Sequence, residues 1–138
     1  MNNNKKLQPE NPNKKNNKGV LDTSALRALF YDEAGADVVY RILDGACIST
    51  VSLAIFLNEA QKAGGDQDIL LHHIETLELQ IFPFDYKQVC IAAQHFYATS
   101  LECRAAIALA MHLELPLYSS NAVLSKLNLP ITLKMLDI

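Results

Sequence analysis

The chain is poor in the residues that make recognisable catalytic and metal motifs. Only three cysteines occur in 138 residues, Cys47, Cys90 and Cys103, with no CxxC pair and no His/Cys ligand spacing around them. That speaks against a zinc site, and the odd count speaks against a disulfide framework. Apolar flanks make all three read as buried, reduced thiols of a reducing compartment. The histidines are no better placed: His72 and His73 are adjacent and diverge on a helix, while His95 and His112 stand alone. No Ser/His/Asp or Cys/His nucleophile set occurs, nor a glycine loop of the kind that cradles phosphate. Apolar runs stay short of the ~18 residues that mark a membrane span. The first lysines precede no apolar stretch, so no secretory signal is expected. These absences lead to the expectation of a cytoplasmic chain that does not enter a membrane.

What is present is a substantial core and an uneven charge. Half of the residues are hydrophobic, enough for one well-buried domain. Residues 1–19 carry Lys5, Lys6, Lys14, Lys15 and Lys18 against Glu10, a net of +4, whereas the rest carries 7 basic and 14 acidic side chains, a net of −7. A body this acidic repels phosphate at long range and is a poor unaided match for a polyanion. The Asn- and Lys-rich opening has only Met1 and Leu7 as apolar residues and cannot offset its ordering entropy. A disordered, basic tail over 1–18 is therefore expected ahead of a single domain over 19–138. The tail reads as solvated, with an arm that holds nucleic acid as the other reading.

From Gly19 onward, short apolar runs alternate with helical patterns. "GVLD" predicts a strand, Ser24–Tyr31 a short helix, and "EAGADVVYRILDG" a second helix closed by Gly45. "ACIST" predicts the next strand, with Thr50 or Ser52 capping a helix that runs to Ala63. Asp66 opens another helix, "QIFPF" is a strand, Asp85 caps "YKQVCIAAQHFYA", and Ser100 caps "LECRAAIALAMHLEL". "PLYSS" is a strand, Asn121 starts a short helix, and "PITLKMLDI" is an edge strand with Pro130 at its start. Strands separated by helices predict βαβ units, hence an α/β fold with a parallel sheet covered on both faces. Ligands of such sheets bind beyond the C-terminal strand ends, where Asp22 and Asn121 fall. Local sequence leaves two roles open for Asp22, a helix cap or the first member of a charged site.

The segment "GVLDTSALRALF" with "EAGADVVYRIL" resembles the opening of a PIN domain, and in particular the VapC-type bacterial toxins. The likeness continues through "GACISTVSLAIFLNEA", "LELQIFPFDYKQVCIAA" and "TSLECRAAIALAMHLELPLYSSNAVLSKL", in order and spacing. It implies a parallel sheet of about five strands flanked by helices. It also implies a Mg²⁺- or Mn²⁺-dependent endoribonuclease built on clustered acids. Hard cations take several oxygen ligands, and the bound metal activates water and stabilises the attacked phosphate. Carried over residue by residue, the first acid is Asp22, the second falls on Ile55, the third on Cys103 and the fourth on Asn121. By that resemblance one acid of four remains, which implies a degenerate site with Asp22 as the retained position and the ligand of a metal if one binds.

Helical geometry bears on each gap. At roughly 100° per residue, Leu53, Phe56, Leu57 and Ala60 share one face, and Ile55, Asn58, Glu59 and Lys62 the other. Ile55 is thus an apolar residue on a polar face, expected to pack under a neighbouring loop. Glu59 lies one turn on, displaced by ~6 Å, and reads as solvated unless it reaches back as a stand-in. Cys103 begins an apolar stripe with Ala106, Ile107, Ala110 and Met111 and reads as packing, since a thiolate is ill-suited to Mg²⁺. Glu102, rotated by about 100° from it, contributes only if the helix starts differently, and Arg104, able to pair with it or with Asp22, is expected at the surface. Asn121 keeps an oxygen but loses the charge and reads as a cap.

The expectation is therefore a VapC-like PIN domain that is catalytically inactive or impaired and acts, if at all, through a partner. The resemblance implies a small antitoxin-type protein and a homodimer as that partnership. The alternative is an active Mg²⁺-dependent endoribonuclease in which Asp22, Glu59, Glu102 and Asn121 form a shifted site. Its substrate would be single-stranded or looped RNA, whose bases are accessible.

Overall fold

The computed structural model describes residues 17–94 and 100–136. The expected tail lies outside these up to residue 16, as do His95 and the stretch in which the fifth predicted helix would run on to Ala98. Five parallel strands form one sheet: β1 (Gly19–Leu21), β2 (Ala46–Ser49), β3 (Gln80–Phe82), β4 (Leu117–Ser119) and β5 (Leu133–Met135). Their order is β3-β2-β1-β4-β5, with Val20 paired to Cys47 on one side and to Leu117 on the other. The helices between them are α1 (Thr23–Phe30), α2 (Ala36–Ile42), α3 (Thr50–Lys62), α4 (Gln67–Leu77), α5 (Tyr86–Gln94) and α6 (Leu101–Leu113). A 3₁₀ turn covers Ala122–Lys126. Among the described residues no helix is long and apolar enough to cross a membrane.

Side-chain alternation divides the core into two layers. Leu21 and Ile48 point to the face covered by α1 to α4, where they meet Leu26, Val39, Phe56 and Ile74. Val20, Cys47 and Leu117 point to the opposite face and meet Cys103, Ala106, Ile107 and Ala110 of α6. Burying each Leu, Ile or Phe contributes about 1.5–3 kcal/mol, so both layers are needed to hold strands only three or four residues long. The run Ala105–Ala110 is wholly buried, and its alanines bring α6 close to the strands. Gly19 answers to another close approach: a Cβ there would lie 2.5 Å from Cε1 of Tyr118.

Local chemistry explains where the elements start and where four expectations need correction. Asp22, Asp66, Asp85 and Ser100 accept from the amides of Ala25, Ile69, Gln88 and Cys103, as expected of caps. The cap of α3 is Ser49, not Thr50 or Ser52: β2 ends at Ser49, whose Oγ accepts from the Val51 amide. That frees Thr50 to accept from the Phe84 amide. Gly45 does not close α2, which ends at Ile42; with φ of 133° it turns the chain into β2. Cys90 is exposed rather than buried, because α5 turns Gln88 and Ala92 inward. The last strand begins at Leu133, not at Pro130. Only residues from there on run beside β4, and Leu117 already takes the Thr132 carbonyl.

The sheet order reverses between β1 and β4, since the chain builds outward to β3 and then returns to the other side of β1. The connections leaving β1 and β4 diverge there and open a cleft beyond their C-terminal ends.

Candidate functional site

That cleft measures about 310 Å³ and is lined by Asp22, Arg27, Ile55, Glu59, Glu102 and Asn121, among others. The last residue of β1 delivers Asp22 to its floor, where it is 2 % exposed. Its Oδ1 accepts from the Ser24 hydroxyl at 2.6 Å and from the Ala25 amide at 2.9 Å. Both roles considered for Asp22 thus meet in one side chain: it caps α1 and faces the cleft.

Ser24 extends this arrangement across the switch point. Its Oγ accepts from the Ser120 amide at 2.9 Å and lies 3.3 Å from Ser119 Oγ. Ser119 Oγ accepts in turn from the Asn121 amide at 2.9 Å. The pairs Thr23-Ser24 and Ser119-Ser120 each stand at a strand end, and no local spacing shows that Ser24 and Ser119 meet.

Glu102, one of the two stand-ins, is the one that reaches inward. It is half-buried and lines the cleft near Asp22. Its Oε2 accepts from the Thr23 amide at 3.1 Å and from Ser52 Oγ at 3.3 Å. Thr23 Oγ1 also donates to the Ser52 carbonyl at 3.0 Å. The reason is positional: with Ser100 as the cap, Glu102 sits in the first turn of α6. There a long side chain can swing toward α1 and α3 while its neighbour Cys103 turns inward.

Cys103 and Asn121 come together. The Asn121 amide nitrogen donates to Cys103 Sγ at 3.4 Å, and its Oδ1 accepts from the Val123 amide at 3.1 Å. Ile55 is half-buried and forms part of the cleft wall rather than packing beneath a loop. Glu59 is exposed at the rim. Arg27 also lines the cleft, but its guanidinium lies 3.4 Å from Glu33 in a half-exposed pair, an arrangement of small energetic weight.

The electrostatics follow from burial. Loss of solvent pushes the Asp22 carboxyl above its ordinary value, against hydrogen bonds from Ser119, Ser24 and the Ala25 amide. Burial and then the Asp22 charge push Glu102 the same way, opposed by Thr23 and Ser52. Burial raises the Cys103 thiol, so it stays protonated at neutral pH.

These residues do not fit a Mg²⁺ or Mn²⁺ site. Among the described residues no three of His, Cys, Asp and Glu gather closely enough to hold an ion. Asn121 directs its nitrogen, not its oxygen, at Cys103, and a protonated soft thiol does not ligate a hard cation. A larger hollow of about 540 Å³, lined by Tyr40, Asp44, Glu78 and Gln80, lies at the other end of the strands and gathers no comparable set.

No family model and no curated protein matches this sequence. Solved structures do match. A chain of DNA-bound VapBC from Salmonella typhimurium superposes with a TM-score of 0.67 at 15 % identity, covering 86 % of this chain and 97 % of that one. A toxin–antitoxin complex from Klebsiella pneumoniae gives 0.58 at 18 % identity, covering 76 % and 88 %. A protein from Pyrobaculum aerophilum gives 0.58 at 17 % identity, covering 82 % and 87 %. The chain therefore has the α/β fold, with its five-stranded parallel sheet, that is seen in these VapBC and toxin–antitoxin chains.

Proposed function

We propose that this chain is a VapC-type PIN-like domain whose acidic site has been emptied, so that it acts by binding a partner and is catalytically inactive or impaired. The observation that carries this reading is the contact between Asn121 and Cys103. The two positions where the resemblance calls for acids hold neutral groups that satisfy each other. Ile55 removes a third acid from the same cleft. With Asp22 and Glu102 as the remaining inner carboxylates, the charge needed to hold a hard divalent cation is short.

The kind of partner is supported by the neighbours' own names, which describe VapBC and toxin–antitoxin complexes. We take an antitoxin-type protein as the partner, with self-association into a homodimer as part of the same reading. The second reading, a Mg²⁺- or Mn²⁺-dependent endoribonuclease with a shifted site, is favoured by one observation. Glu102 reaches the cleft beside Asp22.

An endoribonuclease assay separates the two. Purified chain is incubated with single-stranded and stem-loop RNAs in Mg²⁺ or Mn²⁺, beside Asp22→Ala. The expected result is no cleavage above the Asp22→Ala background. Metal-dependent cleavage that Asp22→Ala abolishes would establish the shifted-site enzyme instead.

A further inference from the structure

Three helices begin around the two cleft carboxylates. Thr23 is the first residue of α1, Ser52 the third of α3 and Glu102 the second of α6. They lie 79 and 50 residues apart from Glu102 in the chain, yet one carboxylate oxygen joins all three elements. Thr23 is 4 % exposed and Ser52 is fully buried. The Thr23 amide is one of the N-terminal donors that a helix leaves unsatisfied, and Glu102 is its partner. A helix N-terminus carries about +0.5 of a charge. The start of α1 faces both cleft carboxylates, its Thr23 amide bonding Glu102 and its Ala25 amide bonding Asp22.

We infer that Glu102 is a structural clamp that fastens the starts of α1, α3 and α6, so that the cleft keeps its shape without any metal. This rests on the reading of the cleft as emptied of its cation. It goes further, because it assigns the surviving glutamate a task that needs neither RNA nor Mg²⁺. The geometry accounts for the residue type. A glutamate at the second helical position is long enough to reach across to α1 and α3, and its oxygen has two lone pairs for two donors.

Thermal melts and amide exchange of the full chain test this, with wild type, Glu102→Ala and Glu102→Gln compared in EDTA and in millimolar Mn²⁺. Wild-type Tm is expected to be the same in both buffers. Glu102→Ala should lose about 4–8 °C in either, as two hydrogen bonds to a charged, half-buried acceptor disappear. Glu102→Gln, whose amide oxygen can still accept both bonds, should lose less than half of that. Exchange at the Thr23 amide should speed up at least about tenfold in Glu102→Ala and stay slow in Glu102→Gln. A wild-type Tm raised by Mn²⁺, with the rise lost in Glu102→Gln, would make Glu102 a cation ligand and overturn the inference. So would a Glu102→Ala melt and Thr23 exchange equal to wild type. Should Glu102→Ala not fold, the Glu102→Gln melts and exchange decide alone. RNA cleavage is read separately, so an active enzyme with an unchanged metal-free melt would refute the proposed function and leave the clamp standing.

Discussion

Replacing both members of the neutral pair by acids, Cys103→Asp with Asn121→Asp, should turn a metal-indifferent protein into a metal-dependent one. The two side chains meet at 3.4 Å beside Asp22. Two carboxylates at that separation repel by about 5 kcal/mol at an effective dielectric constant of 20. Uptake of a proton or rotation of one group relieves part of this, which leaves a loss of roughly 2–5 kcal/mol. The helix cap itself survives, because Asp serves there as well as Asn. In EDTA the double variant should therefore melt about 5–20 °C below wild type. A cation at one hundred times its dissociation constant returns about 2.7 kcal/mol, so Mn²⁺ should restore much of the loss while leaving wild type unmoved. Adding Ile55→Glu should enlarge the response, since that position opens on the same cleft. The assay is a set of parallel melts over a Mn²⁺ titration. A wild-type chain that gains as much from Mn²⁺ as the double variant would refute the reasoning, and so would a double variant blind to metal.

Two further predictions concern stability. Asp22 and Glu102 are both raised in the folded state above their ordinary values of 3.8 and 4.5, so the fold binds their protons more tightly than the unfolded chain does. Their contribution is fully present below those values and is lost as pH climbs through the folded-state pKa values. Each pH unit between folded and unfolded pKa is worth about 1.4 kcal/mol. Urea unfolding from pH 4 upward to 7 should accordingly show this contribution declining, with the decline flatter in Asp22→Asn, which keeps the cap but not the charge. Glu114 closes α6 with φ of 58°, a left-handed conformation that suits glycine. Glu114→Gly should raise stability by roughly 0.5–1 kcal/mol, measurable in the same urea titration; a loss would mean the glutamate makes an offsetting contact.

Much of the fold was legible because its signals are local. Asp66, Asp85 and Ser100 announce helices through the amides just after them, and strand–helix alternation implies a parallel sheet. Asp22 was legible as a strand-end acid for the same reason. What failed were inferences that depend on which residue of a short stretch is the boundary. Ser49, Thr50 and Ser52 are all competent caps, and only the end of β2 decides among them. Cys90 looked buried because its neighbours are apolar, yet α5 presents another face to α6. Glu102 could be named as a candidate but not placed, because angular offset along an ideal helix says little about a long side chain in the first turn. Its partners at Thr23 and Ser52 are distant in sequence, and no spacing rule links them. The meeting of Cys103 with Asn121 has the same character: each was picked out separately, and only the packing of α6 against the end of β4 brings them together.

The brevity of the outer strands has a bearing on solubility. The sheet ends in β3 on one side and β5 on the other, each three residues long. An open sheet edge is a template for other chains in proportion to its length. Here Pro83 follows β3 at once and bars its extension by a further donor, while β5 carries the exposed Lys134 at its centre. Among the described residues, the sheet edges thus offer neighbouring molecules very little backbone to pair with. Cleft variants that loosen α1 or α3 should remain dispersed at concentrations where a longer-edged sheet would aggregate.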